Sequence, residues 1–353
     1  MAVSCKKDPP AAEPEPGVKR VVIGNIGVYP DGASSISEYN PNTNTIEHNL
    51  YRKANVNIPG SLVTDILIDG NNMFLVMNGS ENIIVVDKNT YELKYNIKNL
   101  GNPRRIVKVA TDKFYVTDYT SNAVLVLDMA TRKVVKTLDV GDSPDRMFVH
   151  DDLTFVCNTG SVNRDSTLTI IRNTADTIVK KLNVGDTPNS IVKDRDDNMF
   201  VLCSGYSTPS DPTATTYSQI RKFNLDSLTM AIDSNEVLAA IDTVVFEDIL
   251  IRGCDLQISA DGEYLYYLGN NNPNGNGHGL FRAPTETLKI PASPFVTGTF
   301  YTLSYDDIND DLYTADALAG EFPATVTRYK ASDGSVKSAF TAGIYPRPIA
   351  FKK

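Results

Sequence analysis

Imidazole and thiol chemistry have few places to reside in this chain. Its three histidines are His48, His150 and His278, and its four cysteines are Cys5, Cys157, Cys203 and Cys254. A His-based metal centre or a Ser–His–Asp triad needs several such groups converging on one site, and no two of these histidines fall in segments that share a site. The cysteines show no CxxC spacing, which argues against zinc. The Asp-rich turns at 194–198 and 306–311 lack the spaced ligands and closing Glu of a calcium loop. Neither a phosphate loop nor a dinucleotide fingerprint occurs. The residues therefore predict no metal, no catalytic group and no resident cofactor, and direct attention to binding chemistry.

Two sets of residues carry binding chemistry. Arg104, Arg105, Arg146 and Arg347 recur at matching places in a repeat, and guanidinium groups grip phosphate or carboxylate in planar, bidentate fashion. Tyr29, Tyr119, Tyr206 and Tyr217 fall in polar loops, where a ring offers a flat face and a hydroxyl. To see what would bring them together, the repeat itself must be read.

The stretch "KTLDVGDSPDRMFVHDDLTFVCNTG" (136–160) is nearly rewritten as "KKLNVGDTPNSIVKDRDDNMFVLCSG" (180–205). Each copy runs from an outer strand through a Gly/Pro link into a strand, a tight polar turn and a second strand. Such hairpin units begin at residues 66, 106, 147, 191, 256 and 303, with turns of Asp-Gly, Asp-Asp and Asn-Asn type. A third strand, a turn and a fourth strand follow, with the joint written "VVDKNTYEL" (85–93), "VLDMATRKV" (126–134), "IIRNTADTI" (170–178) and "EYNPNTNTI" (38–46). Weaker copies stand at 223–231, 281–289 and 328–336. Four antiparallel strands at this period are the signature of propeller blades. The chain opens on a second strand, "RVVIGN" (20–25), and closes on a first strand, "GIYPRPIAFKK" (343–353), so the last strand is expected to complete the first blade and make seven. The expected fold is an all-β, seven-bladed propeller over residues 18–353, behind a tail at 1–17. The fifth repeat is the longest. Its loop 204–219 reads as a lid or ligand contact, and its insertion 234–253 as a place for a short helix.

In this architecture the outer-to-inner links and the second-to-third-strand loops share one face around the central channel. Two rings of residues face it in register. The first holds Asp65, Arg105, Arg146, Ser190, Asp255, Thr302 and Pro348, preceded by Thr64, Arg104, Asp145, Asn189, Cys254, Tyr301 and Arg347. Two readings stand side by side for its arginines: a grip on an anionic ligand, or salt bridges to Asp65, Asp145 and Asp255 that close the channel. The second ring, Asn25, Asn78, Asp118, Asn158, Ser204, Asn270 and Asp316, reads as local loop caps. Candidate ligand contacts are Tyr29, Arg104, Arg105, Tyr119, Arg146, Asn189, Tyr206, Tyr217, His278, Tyr301 and Arg347. Cys157 and Cys203 occupy similar places in two repeats and read as small buried residues.

The segment "FYVTDYTSNAVLVLDMATRKVVKTLDVGDSP" (114–144) resembles the YVTN/YncE-like propellers, also described as surface-layer-type repeats. The stretch "GNIGVYPDGASSISEYNPNTNTIEHNLYRKAN" (24–55) is similar to propeller lipoproteins of Bacteroidetes that accompany TonB-dependent transporters, one branch of which captures vitamin B12 and related corrinoids. Small residues before Cys5 and the Pro/Glu tether after it resemble the end of a bacterial lipobox, although no hydrophobic segment precedes it. These resemblances imply a monomeric outer-membrane surface lipoprotein, lipidated at Cys5, that binds a small-molecule nutrient and hands it to a TonB-dependent transporter. His278, in the glycine-rich loop 270–279, reads by default as a solvent-exposed loop histidine, with a lower axial ligand to a corrinoid cobalt as the other reading. A scaffold for another surface protein, and less readily a propeller lyase or quinone-dependent oxidoreductase, are the alternatives. Formal net charge is −9, from 34 Lys and Arg against 43 Asp and Glu, with no dense basic run for nucleic acid. No apolar run is long enough to span a membrane, so membrane contact is expected through the lipid alone.

Overall fold

A computed structural model describes residues 20–28, 33–160, 164–208, 212–234, 239–246, 255–270, 278–316 and 322–353. These form seven antiparallel sheets of four strands each, arranged as a β-propeller. The fourth blade is representative: Pro144–His150, Leu153–Asn158, Thr167–Arg172 and Thr177–Asn183 run from the channel outward. Its second strand, LTFVCN, is buried at every residue, whereas its outermost strand, TIVKKLN, is largely exposed. That gradient follows from the stacking of sheets: both faces of a middle strand pack on neighbouring blades, so period-two alternation gives way to a continuous apolar run.

The core is therefore a set of inter-blade layers. Leu153, Phe155 and Cys157 of the fourth blade pack on Met199, Val201 and Cys203 of the fifth, and the two thiols sit where their repeat positions predict. Ring closure is also as expected. The last strand, Pro346–Lys352, pairs antiparallel with Arg20–Asn25, placing Lys352 opposite Arg20 and Ile349 opposite Ile23.

The fifth blade departs from its expected layout. Residues 223–231 were expected to form a strand–turn–strand joint and the insertion 234–253 to hold the helix. Instead an α-helix spans Leu225–Ser234, and the outermost strand follows at Asp242–Val245. Asn224 opens the helix rather than a turn, its Oδ1 accepting the Ser227 amide at 3.0 Å. Leu225, Leu228 and Ile232 then project from one face into the layer between the fourth and fifth blades. A second, five-residue helix at Leu50–Ala54, with Tyr51 buried, lies in the link between the first two blades.

Candidate binding site at the channel mouth

Four inner strands begin at a proline: Pro103–Ala110, Pro144–His150, Pro188–Lys193 and Pro346–Lys352. Just after it the register slips, between Pro103 and Ile106, between Pro144 and Met147, and between Pro188 and Ser190. The closing pair shows the same slip between Ile23 and Asn25, and the second blade between Val63 and Asp65. A bulge breaks strict alternation and re-aims side chains. Here it allows two consecutive residues, Arg104 and Arg105, to reach the same carboxylate.

Asp145 receives Arg105 Nε on one oxygen at 2.5 Å and Arg104 on the other at 2.8 Å. Arg105 also donates to the Thr64 carbonyl and lies 4.0 Å from Asp65. Across the channel Asp255, only 1% exposed, accepts Arg146 and, at 2.9 Å, Arg347. Its second oxygen takes the Leu303 amide at 3.1 Å. The charged members of the expected first ring thus form two ion-paired clusters, Arg104 and Arg105 with Asp145 and Asp65, and Arg146 and Arg347 with Asp255. The pairing does not neutralise the site, because four arginines face three aspartates.

Burial alone would raise the Asp145 carboxyl, but Arg105 and Arg104 outweigh it and hold it well below the ordinary carboxylate range. Asp255 is likewise lowered against its burial, by Arg347 and Arg146. Asp65 goes the other way, since burial outweighs the attraction of Arg105. Arg146 is lowered, first by burial and then by repulsion from Arg105 and Arg347, against the pull of Asp255. Next to this group, and reaching down the channel, is a cavity of about 310 Å³ lined by Asp65, Arg105, Arg146, Thr302 and Arg347 among others.

Aromatic rings ride on the outer arginines. Arg104 lies over Tyr119 at 5.0 Å and Arg347 over Tyr301 at 5.9 Å, with Tyr301 against Tyr345 at 5.1 Å. Arg104 Nε is buried without a hydrogen-bond partner. Tyr206 belongs to a separate group on the same rim: Arg164 lies over it at 5.2 Å and is held by Asp186, its Nε at 2.7 Å, while Thr216 donates to Asp186 at 2.5 Å. The repeat register missed Arg164 and Asp186 because Arg164 lies in a blade-specific loop that no other repeat copies. Tyr345 was missed for a different reason: it precedes the ring position by two residues.

The other expected contacts stay apart. Asn189 accepts its neighbour's hydroxyl, Ser190 Oγ, at 2.8 Å, and shares no bond with the channel arginines among the described residues. Tyr217 is 53% exposed. His278 opens the strand His278–Pro284 rather than lying within a loop, and is exposed. Among the described residues neither Tyr217 nor His278 shares a bond with the channel group. Tyr29, Cys5, Cys254 and the Asn270 side chain lie outside the described residues. In the second ring Asp118 caps its loop as expected, accepting the Thr120 and Ser121 amides, both at 3.2 Å, whereas Asn158 Nδ2 instead ties across to the third strand, donating to the Thr167 and Thr169 hydroxyls, both at 2.9 Å. Beside the first blade the same rim carries a recess of about 300 Å³, lined in part by Ile36, Tyr51, Ile58, Pro59 and Ile344.

Comparison with solved structures finds the fold widely. A Lactobacillus plantarum protein superposes with a TM-score of 0.69 at 12% identity, covering 95% of this chain and 100% of that one. A quinonprotein alcohol dehydrogenase-like protein from Bacteroides thetaiotaomicron gives 0.68 at 12% identity over 93% and 77%. A candidate 6-phosphogluconolactonase from Bacteroides fragilis gives 0.67 at 12% identity over 95% and 98%. At such identities the likeness is one of fold alone. No curated protein matches the chain. Residues 20–283, from the first strand of the ring into the sixth blade, match the family described as a domain of unknown function, DUF5074, and it is to this propeller family that the chain belongs.

Proposed function

We propose that this chain is a binding protein, not an enzyme, and that it captures a nutrient carrying an anionic group at the channel mouth. The observation that carries the reading is the surplus cation there: Arg104, Arg105, Arg146 and Arg347 against Asp65, Asp145 and Asp255. The rings of Tyr119 and Tyr301 are laid against two of those arginines. Preorganised arginines with their orientation already fixed by carboxylates accept a further anion with little loss of side-chain entropy. The cavity of about 310 Å³ admits a phosphate or carboxylate group but not a macrocycle. A larger ligand would therefore lie across the rim, its charged group in the mouth and its flat part against tyrosine and the apolar recess.

A corrinoid with a phosphodiester in its nucleotide loop satisfies both demands, and vitamin B12 is the ligand we put forward. In this reading the chain is anchored through Cys5 at the outer-membrane surface and passes its cargo to a TonB-dependent transporter. Calorimetric titration with cobalamin and with cobinamide, which lacks the phosphodiester-linked nucleotide, tests it. Cobalamin should bind, Arg104→Gln should weaken it about tenfold, and cobinamide should be indifferent to that change. Absence of heat with both would reject the corrinoid, and turnover dependent on Arg105 or His278 would reject a binding-only role. A second reading, a docking scaffold, is favoured by the exposed apolar side chains of Ile58 and Phe322 on the same rim. Recovery of a transporter with this chain in the absence of any small ligand would support it.

A further inference from the structure

The opposite face of the ring, where the hairpin turns lie, holds a second concentration of charge. Arg20 and Lys352 face each other across the closing strand pair. Beside them opens a cleft of about 540 Å³ lined by Arg20, Glu38, Lys88, Lys352 and Lys353, with asparagines from two turns. Its lining holds four cations and one carboxylate, on a chain whose formal net charge is −9.

That carboxylate is already engaged. Glu38 accepts Lys352 Nζ, lies 3.3 Å from Arg20 Nε, and takes the Tyr91 hydroxyl at 2.5 Å. Lys352 is itself nearly buried, its side chain 8% exposed, and sits 4.4 Å over the Tyr91 ring. Lys353 reaches out to Asp307 at 2.8 Å in an exposed pair. The Lys88 ammonium has no ion-pair partner among the described residues. Burial lowers the Lys352 ammonium, Glu38 offsets part of that, and Arg20 and Lys88 add a smaller repulsion. An anion placed between these groups would relieve that repulsion.

We infer that this cleft is a second binding site, separate from the channel mouth, and that it takes a phosphate group. The donors come from three directions, a planar guanidinium and ammonium groups on two different elements, which suits a tetrahedral oxyanion better than a planar carboxylate. Phosphate of this kind has two sources, a free phosphate or phosphomonoester and the headgroup of an anionic lipid. The described chain enters the propeller at Arg20 on this same face, so a membrane anchor at Cys5, as proposed above, would put lipid within reach. The phosphate site itself does not depend on that anchor.

The test uses the full chain at low ionic strength. Inorganic phosphate is titrated by calorimetry, and sedimentation is measured with vesicles of phosphatidylcholine alone or mixed with phosphatidylglycerol. Saturable phosphate binding is expected, weakened at least about tenfold by Lys88→Glu, with thermal stability not reduced, because Lys88 has no ion-pair partner among the described residues and its charge repels Lys352. Lys353→Glu gives an independent second variant. Sedimentation with the anionic vesicles, lost in the same variants, identifies a lipid headgroup as the source; phosphate binding without it identifies a free phosphate. Failure to saturate, binding indifferent to both variants, or vesicle binding without phosphate binding would each overturn the proposal. None of these results bears on the cobalamin titration, which reads the other face.

Discussion

Asn25 Oδ1 accepts the Gly343 amide at 2.7 Å, joining residues 318 positions apart. The same bond occurs within the fourth blade, where Asn158 Oδ1 accepts the Gly141 amide at 3.1 Å. In both blades the amide nitrogen turns to hydroxyls of the third strand: Asn25 Nδ2 to Ser35 and Ser37, Asn158 Nδ2 to Thr167 and Thr169. Ring closure is thus no special device. The first blade remakes the internal joint from pieces supplied by both ends of the chain.

Removing that joint should loosen the ring at its seam. Asn25→Ala leaves the Gly343 amide and two hydroxyls without their partner, at about 1–3 kcal/mol for buried groups. Gly343→Ala should act similarly, since a Cβ there would stand 2.5 Å from Asn25 Cγ. Urea unfolding measures the loss, and hydrogen exchange locates it. Faster exchange confined to Pro346–Lys352 and Arg20–Asn25 is expected; uniform acceleration around the ring would contradict a seam-specific role.

The channel aspartates should differ in what their removal does. Asp255→Asn leaves Arg146 and Arg347 facing each other without their shared carboxylate, and breaking a buried pair in this way costs about 3–5 kcal/mol. Asp65→Asn should be far milder, because Asp65 chiefly accepts the Ile66 and Ile106 amides, at 3.0 and 2.9 Å, and Asp145 still holds Arg105. Denaturant midpoints of the two variants at pH 7 make the comparison; equal losses would refute it.

Acid should reveal the same group. Asp145 and Asp255 have folded-state pKa values lowered against their burial by the arginines around them. Their contribution is present above the ordinary carboxylate pKa and is lost as pH falls from that value through the lowered one. Asp65, raised by burial, opposes them: its contribution is present below the ordinary value and fades as pH rises through the raised one. Stability should therefore fall on acidification below about pH 4, less steeply in Asp255→Asn, as read by urea midpoints across pH. An unchanged slope in that variant would show that Asp255 is not among the titrating groups.

The contrast between the fourth and fifth blades shows what was legible in the sequence. Strand pairing followed from spacing, because "VGDSPDR" and "VGDTPNS" place a Gly–Pro link and an inner strand at equal intervals, and Cys157 and Cys203 fell into one layer accordingly. The register also delivered Arg104, Arg105, Arg146 and Arg347 to one channel, although not the bulges that point Arg104 and Arg105 at a single carboxylate. A bulge is a local accommodation of backbone hydrogen bonding, with no residue type reserved for it. Helix Leu225–Ser234 was hidden for another reason. "FNLDSLTMA" carries an Asn with Asp and Ser two and three residues on, which suits both the turn and the helix-cap reading, and only the layer waiting to receive Leu225, Leu228 and Ile232 decides between them.

That helix should be held by its apolar face more than by its cap. Leu228 is fully buried, so Leu228→Ala should cost about 2–5 kcal/mol, against about 1 kcal/mol for Asn224→Ala, which removes the bond to Ser227. Thermal melts of the two variants give the ratio, and a larger loss at Asn224 would invert the proposed order of causes.

Cys157 and Cys203 are fully buried in the layer between two blades, and burial pushes both thiols up from their ordinary range. The thiolate is the reactive species, and a reagent must also reach it. Both conditions fail here until the fourth and fifth blades separate. In a Cys5→Ser, Cys254→Ser background the native chain should therefore resist a thiol reagent, and labelling should begin only with unfolding. The labelling rate at rising urea would then report the opening of this one layer. Cys203 Sγ donates to the Val184 carbonyl at 3.2 Å, so Cys203→Ala should quicken labelling of Cys157 by loosening the shared layer. Rapid labelling of the native protein would show instead that the blades part far more readily than so continuous an apolar layer allows.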